Sequence, residues 1–278
     1  MSTHAAPSPN GASLYAHPVA QAVLDEALAL LGDGVAATAI EAASLAASLP
    51  AGVLAILDDI SLETLDHALH AELHALEHGH DHSHGHEHAH GHDHHAHSHG
   101  HEHHDHHARG HDHGHDHGHD HGHGHAPAPA APKAHAHKVK SRRMPESAVY
   151  VLEKMAHGYR RMGRSAGAGF YDYASDPPQL WSGLKTFERR TAKVPAEDIG
   201  DRLRYAAMLG ALRRADDAAS PALETVFGTH LPATAADAAS QVRALGTEDF
   251  ILRCRELASR YGQRFEPADA VLAALGSA

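Results

Sequence analysis

Apolar residues recur at helical spacing through both ends of the chain and almost vanish from its middle. Val19, Val23, Leu24, Leu28 and Leu31 share one face, and Gly32 and Gly34 supply a stop, so a helix is predicted over 19–31. Thr38 and Glu41 have the spacing of a capping box, in which each side chain answers the other's free backbone N–H, and they open a helix that should end near Pro50. After Ser61 as N-cap, Leu62, Leu65, Leu69, Leu73 and Leu76 run along one side of a third helix. Past the middle, a stripe of Val149, Leu152, Met155, Tyr159 and Met162 starts near Pro145 and ends at Gly163, with Arg160 and Arg161 in the last turn, where cations suit the helix dipole. Further helical patterns cover 199–215, 220–227, with Ser220 as cap and Pro221 as first residue, and 248–261 after Thr247. No strand-like alternation separates these helices, so the predicted class is all-α.

The opposite face of the third helix carries His67, His70, His74 and His78, stepping by 3, 4 and 4, and it runs into a tract of a different material. Of the chain's 34 histidines, 25 fall between 78 and 125, together with eight acids, Arg109 and only three alanines as apolar residues. Such a segment cannot bury enough apolar surface to offset its ordering entropy, so a disordered loop is predicted over 78–144. It interrupts a first helical domain made of 15–77 and 145–190. A second helical domain follows over 191–278, and 1–14 is read as a disordered start.

Neutral imidazole is a good ligand for Zn, Ni, Co and Cu(II), and histidines at i and i+4 of a helix converge on one ion. His70–His74 and His74–His78 are therefore two-point sites. In the tract, His80, His82, His84, His111, His113, His115, His117, His119 and His121 add weaker ligands at high local density. With an ordinary histidine pKa near 6.5, the tract would also gain on the order of +12 charge at that pH, and bound metal would oppose the gain.

Charge narrows the function further. Outside 78–125 there are 22 basic and 27 acidic residues, hence no basic excess and no sign of a nucleic-acid surface. The single Cys254 leaves no internal disulfide and no cysteine-built zinc site. No stretch of about 18 apolar residues and no signal-peptide pattern occurs, so the expected location is cytoplasmic, without a membrane span. His157, His230, Glu153, Asp198 and Asp201 read as solvated or structural, and no catalytic arrangement stands out. Arg142, Arg143, Arg160, Arg161 and Arg164 form a basic cluster suited either to a phosphate group or to balancing the acidic tract.

Three segments carry a resemblance: VLEKM at 151–155, SAGAGFYDY at 165–173 with Leu180-Trp181 downstream, and FILRCRELASRYGQRFEP at 250–267. Together they resemble the C-terminal part of bacterial 3-hydroxyacyl-CoA dehydrogenases, in particular the multifunctional fatty-acid oxidation α subunits. The likeness spans roughly 15–77 and 145–274 and implies two degenerate tandem copies of that family's helical domain. A faint internal echo fits this, Glu26-Ala27-Leu28 before Ile40-Glu41 and Gly210-Ala211-Leu212 before Leu223-Glu224.

The resemblance implies acyl-CoA binding and dimerisation, with NAD supplied only through a separate nicotinamide-binding chain. The catalytic His and Glu of the family belong to that missing domain, so this chain alone should not oxidise anything. Gly167-Ala168-Gly169, with no strand before it and no third glycine opening a helix, reads as a turn rather than a dinucleotide cradle. His17-Pro18 stands where the family places Asn-Arg, and His230-Leu231-Pro232 followed by alanines replaces a glycine- and proline-rich stretch. The alternatives are a cytoplasmic metal buffer or metal-supply protein on a relic dehydrogenase scaffold, and a truncated or mis-started gene product.

Overall fold

The computed structural model describes residues 11–78, 144–189, 194–214 and 220–276. Among them are α1 (Gly11–Tyr15), α2 (Pro18–Gly32), α3 (Ala37–Ala46), α4 (Val53–Ile60), α5 (Leu62–His78), α6 (Glu146–Glu153), α7 (Ala196–Leu212), α8 (Pro221–Phe227), α9 (Ala235–Leu245), α10 (Thr247–Tyr261) and α11 (Asp269–Gly276). One antiparallel ribbon, β1 (Tyr171–Asp172) with β2 (Gln179–Leu180), pairs Tyr171 with Leu180. The chain is mostly helical, as its periodicity predicts. No helix of the described residues is long and apolar enough to cross a membrane.

Helix α2 is apolar on nearly every side and is therefore central. Val19, Ala20, Val23, Leu24, Ala27, Leu28, Leu30 and Leu31 are all fully buried, and α2 packs chiefly on α6 and α7. The crossing with α7 is close enough to require Gly210, where a Cβ would lie 2.9 Å from the Pro18 carbonyl oxygen. Helix α7 faces two cores. Ile199, Leu203, Ala207 and Ala211 join the large core of α1 to α6, while Tyr205, Met208 and Leu209 join a smaller one with Val242, Phe250, Cys254, Leu257 and Phe265. Burial pushes the Cys254 thiol up to about 12, so it behaves as a small hydrophobe.

Several sequence expectations change. Residues 11–15 are ordered as α1, with Leu14 and Tyr15 buried. Thr38 and Glu41 form no capping box: α3 begins after Ala36, and the buried Glu41 instead accepts the backbone N–H of Leu54, capping α4 at 2.9 Å. Ser61 stands directly before α5, as expected, but it also ends α4 at φ 81, and its hydroxyl donates to the Met162 carbonyl. The helix from Pro145 stops early, because Lys154–Gly158 form a π-turn and Arg160 takes φ 55. Asp198 is no solvated face: it is fully buried and, against the pull of burial, hydrogen bonds from Tyr261, Arg253 and Arg260 hold its carboxyl below the usual range. The true capping box is Thr234 with Asp237, at the start of α9.

Three other carboxyls are pushed up by burial, Asp25 to about 7, Glu41 to about 7 and Asp58 to about 6. Each holds its proton more tightly folded than unfolded. Its contribution is therefore full below about pH 4, the unfolded carboxylate range, and is lost as pH rises through the folded values. The melting temperature should fall between about pH 5 and about pH 7.5, by several degrees, and Asp25→Asn should flatten the slope. A melting temperature that climbs over that range contradicts these assignments.

Candidate metal centre

The leucine stripe of α5 contains one intruder. Asp66 lies four residues after Leu62 and three before Leu69, so it shares their buried face, and its side chain is only 12% exposed. A carboxylate there needs partners. One is His157, whose Nε2 stands 3.0 Å from Asp66 Oδ1. His157 belongs to the π-turn Lys154–Gly158, an extra-residue turn of the kind that often redirects a functional side chain.

His70, one turn along α5, completes the group. Its Nδ1 lies 2.8 Å from the Asp66 carbonyl oxygen and 3.5 Å from Asp66 Oδ1. A carbonyl can only accept, so Nδ1 carries the proton and Nε2 keeps the lone pair. The His70 and His157 rings meet edge to face, with centroids 6.1 Å apart. One ligand atom from each of Asp66, His70 and His157 lies within 4.8 Å of the others. The 3.0 Å separation of Asp66 from His157 is close to the edge of a tetrahedron with bonds of 2.0–2.1 Å, about 3.3 Å. A carboxylate and two imidazoles form a mixed oxygen and nitrogen set suited to a divalent transition metal, with open positions on the exposed side.

Of the predicted ligands, His70 is in this group. His74 is exposed on α5 one turn further on, and His78 is the last residue of that helix. His80, His82, His84, His111, His113, His115, His117, His119 and His121 lie outside the described residues. His157 and Asp66 were not expected. The signal for Asp66 was a charge inside an apolar stripe, whereas nothing local in the sequence brings His157 to it.

Of the basic cluster, Arg142 and Arg143 lie outside the described residues, and Arg161 and Arg164 are engaged elsewhere. Arg161 donates to the Gly169 and Tyr171 carbonyls at 2.6 and 3.0 Å, pairs with Asp172 at 2.6 Å and stacks over Trp181. Arg164 pairs with Asp59 and covers the Tyr173 ring. Both clamp the glycine-rich segment against α4 rather than presenting a phosphate site. No family model matches the chain, and no curated protein is similar to it in sequence.

Proposed function

We propose that this is a divalent-metal-binding protein, which holds one Zn, Ni, Co or Cu(II) ion between Asp66, His70 and His157 and further ions on its histidine tract. The convergence of three ligand atoms within 4.8 Å carries the reading. Asp66 and His70 precede the tract and His157 follows it, so the ion ties together the two segments that bracket the insertion. Such a clip closes a long loop, and binding that requires the folded state adds to stability.

At a free ion concentration of 100 times the dissociation constant the gain is about 2.7 kcal/mol, or roughly 5–10 °C in melting temperature for a domain of this size. Ions on the tract should bind folded and unfolded chains alike and add little. Thermal denaturation with and without Zn(II) should therefore show a rise of several degrees in the wild type and almost none in His157→Ala. An equal rise in both would place the stabilising ion elsewhere.

A second reading rests on the resemblance of 151–155, 165–173 and 250–267, and the helical body favours it. On that reading the chain is the C-terminal module of a 3-hydroxyacyl-CoA dehydrogenase, two degenerate tandem copies that bind acyl-CoA and dimerise, while a separate chain brings NAD. Either reading is of a cytoplasmic protein. Calorimetry with acyl-CoA and NAD separates them, since micromolar acyl-CoA binding supports the module and its absence leaves metal binding as the function.

A further inference from the structure

Resting on the metal-binding reading above, we infer that His74 is the gateway ligand of the Asp66–His70–His157 centre: an ion is first held by the His70–His74 pair and then handed inward through His70, the ligand both positions share. Helix α5 is continuous from Leu62 to His78, so His70 and His74 stand one turn apart on the same face, with Cβ atoms about 5–6 Å from each other. Both residues are exposed, and the His70 side chain is 63% exposed. The hydrogen bond from His70 Nδ1 to the Asp66 carbonyl leaves the Nε2 lone pair to hold an ion.

Access to the centre is one-sided. Asp66 is nearly covered and supplies the floor, while among the described residues the imidazoles of His70 and His157 form its exposed rim. His74 stands on the side of His70 away from Asp66, toward the helix end where the sequence continues into the histidine tract. His67 faces another way, into a cleft with Tyr15 and Met144.

The handover is a ligand exchange that never bares the ion. The bond to His74 breaks as bonds to the Asp66 carboxylate and His157 form, and the bond to His70 is kept throughout. His157 donates Nε2–H to Asp66 beforehand. That proton leaves to solvent and the ring is protonated at Nδ1 instead, so the site's charge changes only by that of the ion.

The test uses the full chain and one equivalent of Cu(II) in a stopped-flow fluorimeter. Trp181 is the only tryptophan, and its ring packs 4.8 Å from that of Tyr159, two residues after His157, so an ion at the centre should quench it. The part of the quench that disappears in His157→Ala reports occupancy of the centre. His74→Ala should reach the wild-type amplitude at a rate at least tenfold slower, while His67→Ala loads at the wild-type rate. Loading of His74→Ala at the wild-type rate overturns the handover, and so does a reduced amplitude, which would make His74 a resident ligand. If the wild type has no amplitude that depends on His157, the metal centre itself fails and the handover falls with it.

Discussion

Asp58→Ala should lower the unfolding free energy by about 4 kcal/mol, because it removes the acceptor on which the glycine-rich segment is hung. The carboxylate is 1% exposed and accepts three bonds, from the Phe170 N–H at 2.8 Å, the Tyr171 N–H at 2.9 Å and the Tyr173 hydroxyl at 2.8 Å. Alanine leaves the buried Phe170 N–H without its partner and the half-buried Tyr171 N–H and Tyr173 hydroxyl with water in place of the carboxylate, and each such loss costs about 1–3 kcal/mol. Asparagine keeps one acceptor but turns an amide toward a donor, so about 2 kcal/mol is expected. Gly169 is fixed by the same carboxylate, since a Cβ there would lie 1.9 Å from Asp58 Oδ1. Gly169→Ala should therefore be strongly destabilising alone and much less so on top of Asp58→Ala. Urea unfolding of the four chains measures this, and additive losses would show that the two residues do not share one contact.

The other large effect is expected at Arg202→Met, again about 3–5 kcal/mol. Arg202 is fully buried. Its Nε donates to Glu26 Oε1 at 2.5 Å, and its NH2 lies 2.8 Å from Asp33 Oδ2 without the alignment of a hydrogen bond. Its plane stacks over the Tyr261 ring at 4.3 Å. Glu26, 1% exposed, also takes two bonds from Arg264, at 2.6 and 3.0 Å. Methionine fills the space but leaves the buried carboxylate to Arg264 alone, whose side chain is 27% exposed. The loss comes from the orphaned charge rather than from the ion pair as such, which is why the double change Glu26→Leu with Arg202→Met should be no worse than Arg202→Met. A double variant that loses the sum of both single effects would refute this account of the cluster.

The helices that the sequence marks plainly are those with one polar and one apolar face, α5, α7 and α10, together with α2, whose stop at Gly32 and Gly34 is a local signal, and α8, whose Ser220-Pro221 start is another. Helix α4 escaped because Val53, Leu54, Ile56, Leu57 and Ile60 are buried on several sides, so no polar face reveals a period. Helix α9 is rich in alanine, and its capping box uses Asp237 where glutamate is the familiar partner. Glu41 and Asp198 differ from expectation, and Asp58 carries no sequence signal, for a different reason. Glu41, Asp58 and Asp198 each satisfy groups on another element, and Asp58 reaches donors more than 100 residues away, so sequence spacing carries no trace of the contact. The metal centre divides in the same way. Asp66 and His70 are an i, i+4 pair readable from α5 alone, whereas His157 arrives through tertiary packing and a π-turn that periodicity had extended as ordinary helix.

The central claim is that three side chains hold an ion, and the most direct measurement is anomalous diffraction at the zinc edge from crystals of the full chain grown with one equivalent of Zn(II). The expected result is a peak about 2.0–2.2 Å from an Asp66 oxygen and from a ring nitrogen of both His70 and His157. A protein that binds zinc in solution but shows Asp66 still bonded directly to His157, with no peak between them, would contradict the account.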